Sequence, residues 1–220
     1  MPHVATPWLG RRTVLTGLST AAATWLLPAE AGLAATKLIT TPRQTEGPFY
    51  PVEWSGDVDA DLVVVKGEAA QAMGQITHVS GRLLDTAGQP MAAAVVEIWQ
   101  CDANGVYRHP RDDGAGRTRD RGFQGRGRTT TDASGRYSFR TIRPVAYGGR
   151  APHIHFNVVL PDRRALITQM YIFGEAQNAR DGVLNGIRDR RQRDSVIVRL
   201  VPADGLEAGA LAGAFDIVMG

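Results

Sequence analysis

Cysteine is almost missing from this chain: its 220 residues contain one, Cys101. A lone cysteine excludes an internal disulfide and any zinc or iron–sulfur site built on several thiolates of one chain. It leaves Cys101 the role of a small buried hydrophobe. No apolar run is long enough for a permanent membrane span, because the longest is broken by Ala, Gly and Thr. Charge of one sign is also scarce. Lys and Arg number 25 against 22 Asp and Glu, a formal net charge of +3, too mild to point to a nucleic-acid partner. There is no internal repeat, no low-complexity tract and no long helical period beyond the first 35 residues. What is present is enough apolar material, 43% of residues, for one sizeable core with an appendage.

The appendage is N-terminal. Arg11-Arg12 precedes Val14-Leu15-Thr16-Gly17-Leu18 and a run reaching Trp25-Leu26-Leu27. Ala29-Glu30-Ala31 and Leu33-Ala34-Ala35 follow as small-residue cleavage signals. Residues 1–35 therefore read as an export leader of twin-arginine type, although Gly10 stands where Ser or Thr is usual. The expected location is periplasmic or extracellular.

Residues 36–74 read as an extended arm, because Gly47, Pro48 and Pro51 favour turns and open backbone. From 75 to 220 the pattern changes. Apolar residues from Ile76 to Leu84 end at the turn Asp85-Thr86-Ala87-Gly88. Met91 to Gln100 reads as a strand. Asp132-Ala133-Ser134-Gly135 is a second turn, and Tyr137, Phe139 and Ile142 alternate with polar residues beyond it. Further strands are expected at 152–160, 167–173, 195–201 and 213–218, with a short helix near 176–191. The fold class is all-β, a β-sandwich of about eight strands with long connecting loops. The segment 101–128 reads as one such loop, and loops of that length carry function more often than not. From Arg108 to Arg150 eleven arginines face four aspartates. A solvated basic surface and a field that draws in an anionic aromatic account for this equally well.

Chemistry concentrates in Pro152-His153-Ile154-His155-Phe156. Alternate side chains of a strand share a face, so His153 and His155 stand side by side. Such a pair is half of a metal site, or two histidines that only hydrogen-bond. Cupin spacing is not met, since no His follows His155. A three-histidine zinc site would need His78 or His109, and a facial triad would need Asp162. Tyr107 and Tyr147 offer another route. A phenolate oxygen is a hard anionic donor that suits trivalent iron, whose charge favours loss of the phenol proton. Tyr147 lies six residues before His153 on a Gly-rich connection able to bend back. By position alone the tyrosines could equally be packing residues.

A series of motifs in consistent order resembles the intradiol ring-cleavage dioxygenases, the protocatechuate 3,4-dioxygenase type in particular. The stretches are Thr45-Glu46-Gly47-Pro48-Phe49-Tyr50, Val96-Glu97-Ile98-Trp99-Gln100, Gly105-Val106-Tyr107-Arg108-His109 and Thr130-Thr131-Asp132 through Ile142. Arg150 through Phe156 and Thr168-Gln169-Met170-Tyr171 complete the series. The resemblance implies a non-haem iron(III) site of Tyr107, Tyr147, His153 and His155. It implies that Arg150 stabilises negative charge on bound substrate, that Gln169 lies near it, and that Tyr147 is displaced when substrate chelates. Gly47, Pro48 and Tyr50 match a segment lining the pocket. The implied partners are a small aromatic diol and O2, and the implied product is a cis,cis-muconate-type diacid. Relatives build their pocket across subunits, which leaves a homo-oligomer open.

One departure affects the substrate. Only Gly148 and Gly149 separate Tyr147 from Arg150, where protocatechuate enzymes carry a longer loop with an aromatic residue. The resulting pocket would be more open and could admit catechol, hydroxyquinol or a bulkier diol. Two rival readings remain at this stage. One is a zinc-dependent hydrolase using His153 and His155. The other is a non-catalytic, transthyretin-like (prealbumin-like) binding module on the same strands.

Overall fold

A computed structural model describes residues 37–220, so the leader and its export lie outside the described residues. Ten strands form two five-stranded sheets. The first sheet holds β1 (Ile76–Asp85), β4 (Arg136–Ile142), β8 (Val201–Pro202), β9 (Leu211–Ala214) and β10 (Ile217–Met219). The second runs β3 (Arg126–Thr130), β2 (Val95–Trp99), β5 (His153–Val159), β6 (Ala165–Ile172) and β7 (Ile197–Val198).

The alternation that marked β1 and β4 sets their pairing. Val79 stands opposite Phe139 and Gly81 opposite Tyr137 in an antiparallel ladder, with the apolar side chains turned inward. Across the interior, the Tyr137 and Phe156 rings meet edge to face, and Phe156 meets Phe215 at 5.1 Å. Val96, Ile98, Ile154 and Val158 complete this shared core and are fully buried. Each such side chain contributes about 1.5–3 kcal/mol by leaving water, which commits the two sheets to packing face to face.

Four expectations are corrected. The sandwich has ten strands rather than about eight. The segment 101–128 is not all loop, because β3 begins at Arg126. The helix expected near 176–191 is three short pieces: a 3₁₀ turn at Ala176–Arg180, α1 (Gly182–Asn185) and α2 (Arg190–Ser195), the last ending beyond the expected range. Asp181 and Asp189 cap the two α-helices and so interrupt any longer one. The single strand expected at 213–218 is divided between β9 and β10. At the break, the Phe215 N–H donates to the Ser80 carbonyl at 2.8 Å. The Asp216 carboxylate accepts from the Arg82 N–H at 2.8 Å. Two residues are thereby spent on local contacts, and β10 resumes beside Leu83–Asp85 of β1.

The arm from Lys37 is bound along the sandwich. The Thr41 N–H donates to the Val218 carbonyl and the Gln44 N–H to that of Ile167, while the Leu62 N–H donates to the Arg140 carbonyl and the Arg140 N–H to that of Ala60. Among the described residues no helix is long and apolar enough to cross a membrane.

Candidate active site

The second sheet presents its outer face to the arm, and four rings converge there. On β5, His153 and His155 point to the same side, with their Nε2 atoms 3.2 Å apart and their ring centroids 4.8 Å apart. The loop after β2 brings Tyr107 to them. The turn before β5 brings Tyr147. Tyr107 and Tyr147 lie 4.9 Å apart, Tyr147 and His153 5.5 Å, and Tyr107 and His155 6.2 Å. The turn closes through a bridge between Tyr147 and Arg150, whose N–H donates to the Tyr147 carbonyl at 2.8 Å.

Hydrogen bonding fixes part of the donor set. His153 Nδ1 faces the Ala151 carbonyl. A carbonyl only accepts, so Nδ1 carries the hydrogen and Nε2 presents a lone pair toward His155. The Tyr107 hydroxyl is buried and makes no well-formed hydrogen bond, although the Tyr147 hydroxyl is its neighbour; His155 Nδ1 is likewise unpaired. Buried polar atoms without partners are costly, and two neighbouring rings of the cluster, Tyr107 and His155, each carry one.

The electrostatics follow from burial. Burial pushes the Tyr107 phenol well above its ordinary pKa, and nearby Cys101 and Tyr147 add to this. Burial also raises Tyr147, partly offset by Tyr107 and the Arg150 charge. Burial, then Arg150, lowers His153 to about 4. His155 is lowered well below the ordinary value by burial, with His153 and Arg150 contributing. The four rings on their own are therefore neutral donors at pH 7. A bound cation would reverse the phenol shift, since its charge favours the phenolate.

Behind the rings stands a polar network. Arg150 donates from Nε to Asp181 at 2.8 Å and from Nη2 to Gln169 Oε1 at 2.6 Å and to the Tyr171 hydroxyl at 3.0 Å. Burial is the largest influence and works against the Arg150 charge, but the Asp181 hydrogen bond and the attraction of Tyr171, Asp181 and Tyr147 together outweigh it, and the pKa is raised. Gln169 Nε2 donates to the Thr45 carbonyl at 2.8 Å, so Gln169 ties Arg150 to the arm.

The arm supplies the opposite wall. Gly47 has φ +73°, and a Cβ there would sit 3.4 Å from His155 Cε1, so both backbone angle and space favour glycine. Phe49 stacks on Tyr107 at 4.9 Å. Pro48 accepts Arg111 at its carbonyl at 2.6 Å. The Tyr50 hydroxyl is directed away from the rings and donates to Glu97 at 2.9 Å, with the Tyr50 ring edge-on to Trp99. Trp99 in turn lies parallel to His155 at 4.7 Å. Cys101 is buried in the same cluster beside Trp99 and Tyr107.

Three alternatives lose their geometry. His78 pairs with Glu207 at 3.3 Å and His109 packs against Phe49, so neither joins the paired histidines. Among the described residues no three His, Cys, Asp or Glu side chains converge as a metal set. Asp162 is an exposed turn residue paired with Arg164. Phe49, Trp99, Tyr171 and Asp181 were not anticipated as parts of the site. The Asp-Gly pair at 181–182 ahead of a short apolar stretch was a legible capping signal, but nothing local connects it to Arg150.

A dioxygenase family profile matches residues 45–220. The protocatechuate 3,4-dioxygenase beta chain of Burkholderia cepacia is 36% identical over 187 residues, covering 80% of this chain and 78% of that one. Hydroxyquinol 1,2-dioxygenase of Rhodococcus opacus is 32% identical over 169 residues, covering 68% of this chain and 52% of that one. Among solved structures, the dioxygenase domain of a dioxygenase carbohydrate-binding fusion from Streptomyces sp. SirexAA-E superposes with a TM-score of 0.63 at 29% identity. It covers 82% of this chain and 98% of that one. A β-sandwich with a buried phenol–imidazole cluster is thus the scaffold of an oxygen-inserting enzyme. The chain belongs to the intradiol dioxygenase family.

Proposed function

We propose that Tyr107, Tyr147, His153 and His155 hold a non-haem ferric ion, and that the chain uses it with O2 to cleave a catechol-type ring between its two hydroxyl groups, giving a cis,cis-muconate-type diacid. The observation that carries this is the convergence of two phenol rings and two imidazoles, with Tyr107–Tyr147, Tyr147–His153 and His153–His155 centroids 4.9, 5.5 and 4.8 Å apart. The fit is chemical as well as geometric. Two phenolates and two neutral imidazoles would leave a trivalent ion with one net positive charge, able to attract an anionic diol. When bound, ferric iron supplies Lewis acidity and a template for the diol oxygens.

The remaining steps belong to this chain's own residues. Tyr147 sits on a turn containing Gly148 and Gly149 and is only partly buried, beside fully buried Tyr107. As a phenolate it would be the group placed to accept a proton from the incoming diol. Arg150 stays charged throughout, and its charge acts on all four rings, where negative charge on the substrate would accumulate. Gln169 holds that guanidinium in register with the arm. Phe49 and Gly47 cover the rings and keep water from their face. The short turn between Tyr147 and Arg150 favours an unsubstituted or bulkier diol over protocatechuate. The Arg-rich surface favours an anionic one. Residues 1–35, read as an export leader, would put this chemistry outside the cytoplasm.

The test is O2 uptake by iron-loaded protein across protocatechuate, catechol, hydroxyquinol and a larger plant-type diol, with the product examined by mass and by alkaline spectrum. Ring-opened diacid carrying two added oxygen atoms is expected. Extradiol aldehyde products, or no uptake with any diol, would contradict the assignment.

A further inference from the structure

A cavity of about 800 Å³ lies apart from the site and is not lined by any of the four rings. It lies between the arm residues Pro51–Asp57 and the segment Arg108–Pro110, and Arg126 of β3 reaches it from the side. Phe49 stands between the two places, 4.9 Å from the Tyr107 ring and 5.6 Å from the His109 ring.

Its wall is rich in donors that lack acceptors. Arg126 is 8% exposed; its Nη2 donates to the Ser55 carbonyl at 3.0 Å, and its Nε is buried with no partner. His109 is 4% exposed, and its Nδ1 accepts the Arg111 N–H at 3.0 Å. The remaining hydrogen of the neutral ring therefore sits on Nε2, which is also buried and unpartnered. Arg108, Arg119 and Lys66 line the same space, against Glu53 and Asp57. None of the four cations forms an ion pair among the described residues. Burial, and then the charge of Arg108, lowers the Arg126 pKa, and the Glu53 carboxylate offsets this only in part.

Two buried N–H donors, an excess of positive charge and an open volume together specify an acceptor-only anion. We propose that this cavity binds a small oxyanion, held by Arg126 and His109 and drawn in by Arg108, Arg119 and Lys66. Its size suits the carboxylate of an organic acid better than a bare phosphate, though both share the chemistry the wall recognises.

Calorimetric titration of the full-length protein with inorganic phosphate, benzoate and cis,cis-muconate tests this. Saturable binding of one equivalent of an organic acid is expected, with phosphate weaker; tighter phosphate would assign the site to the inorganic anion. Arg126→Gln should weaken binding about ten-fold or more, the scale of one charge-assisted hydrogen bond. Arg108→Gln should weaken it several-fold, more so at low salt, and decides the matter if the Arg126 variant does not fold. Tyr147→Phe should leave the affinity unchanged, because the ring cluster is elsewhere. Three outcomes overturn the proposal. They are no saturable heat with any of the three anions up to about 10 mM, a range that still covers millimolar affinities, unaltered affinity in Arg126→Gln, and binding that disappears in Tyr147→Phe.

Discussion

The Asp181 carboxylate lies 2.8 Å from Arg150 Nε and also accepts the Ala151 N–H at 2.9 Å. Its other oxygen caps α1 through the Val183 and Leu184 N–H groups. One side chain, 1% exposed, thus fixes a helix start, the strand entry before His153 and the guanidinium behind the rings. Asp181→Ala leaves Arg150 with an uncompensated buried charge and should cost about 3–5 kcal/mol in urea unfolding. With Arg150 no longer aimed, kcat/KM should fall about 10–100-fold. Unaltered turnover in a folded Asp181→Ala protein would show that Arg150 needs no such support.

The same carboxylate makes a prediction about acid. Burial alone would raise its pKa, but hydrogen bonds from Arg150, Leu184 and Ala151 outweigh burial and hold it below the usual range. A group depressed on folding contributes stability that is complete above its unfolded pKa of about 3.9 and is lost as pH falls through the lower, folded value. The Tm gap between wild type and Asp181→Asn should therefore be constant near neutrality and narrow between about pH 5 and pH 3. A gap that stays constant throughout that acid range would contradict the linkage.

Arg150→Ala should separate binding from chemistry. The guanidinium does not belong to the four-ring cluster, so iron content should be retained while kcat drops about 100-fold, the scale of one lost electrostatic donor. Metal analysis beside single-turnover kinetics checks this, and loss of iron with activity would move Arg150 into the structural support of the centre.

Gly47→Ala places a Cβ at φ +73° and 3.4 Å from His155 Cε1. The left-handed backbone costs about 1–2 kcal/mol for a residue with a Cβ. A lower Tm and a weaker hold of the arm over His155 are expected, read as faster proteolysis between 37 and 60. An alanine variant as stable and as resistant as wild type would argue against the close approach.

Much of the sandwich was legible because its strands are half-buried and therefore alternate, as at Tyr137 and Phe139. The pair His153 and His155 was legible for the same reason, since spacing by two fixes a common face. β3 was hidden because Arg126-Gly127-Arg128-Thr129-Thr130 lacks an apolar stripe. Its inward position is Gly127, where a Cβ would meet Leu62 Cδ1 at 2.5 Å, so the arm supplies the core residue that the strand does not. The coupling of Asp181 to Arg150 was hidden because it joins positions 31 apart through the fold rather than through a local period. Tyr107 and Tyr147 were reached through the family likeness, since nothing in their own surroundings distinguishes a ligand from a packing tyrosine.

Visible absorption of the iron-loaded protein tests the central claim most directly. Phenolate bound to ferric iron gives a charge-transfer band, so the wild type should be wine-red to brown, Tyr147→Phe should shift and weaken the band, and Tyr107→Phe should do so as well. An iron-containing protein that is colourless, or a band left unchanged from wild type by both substitutions, would mean that the two phenols do not meet the metal.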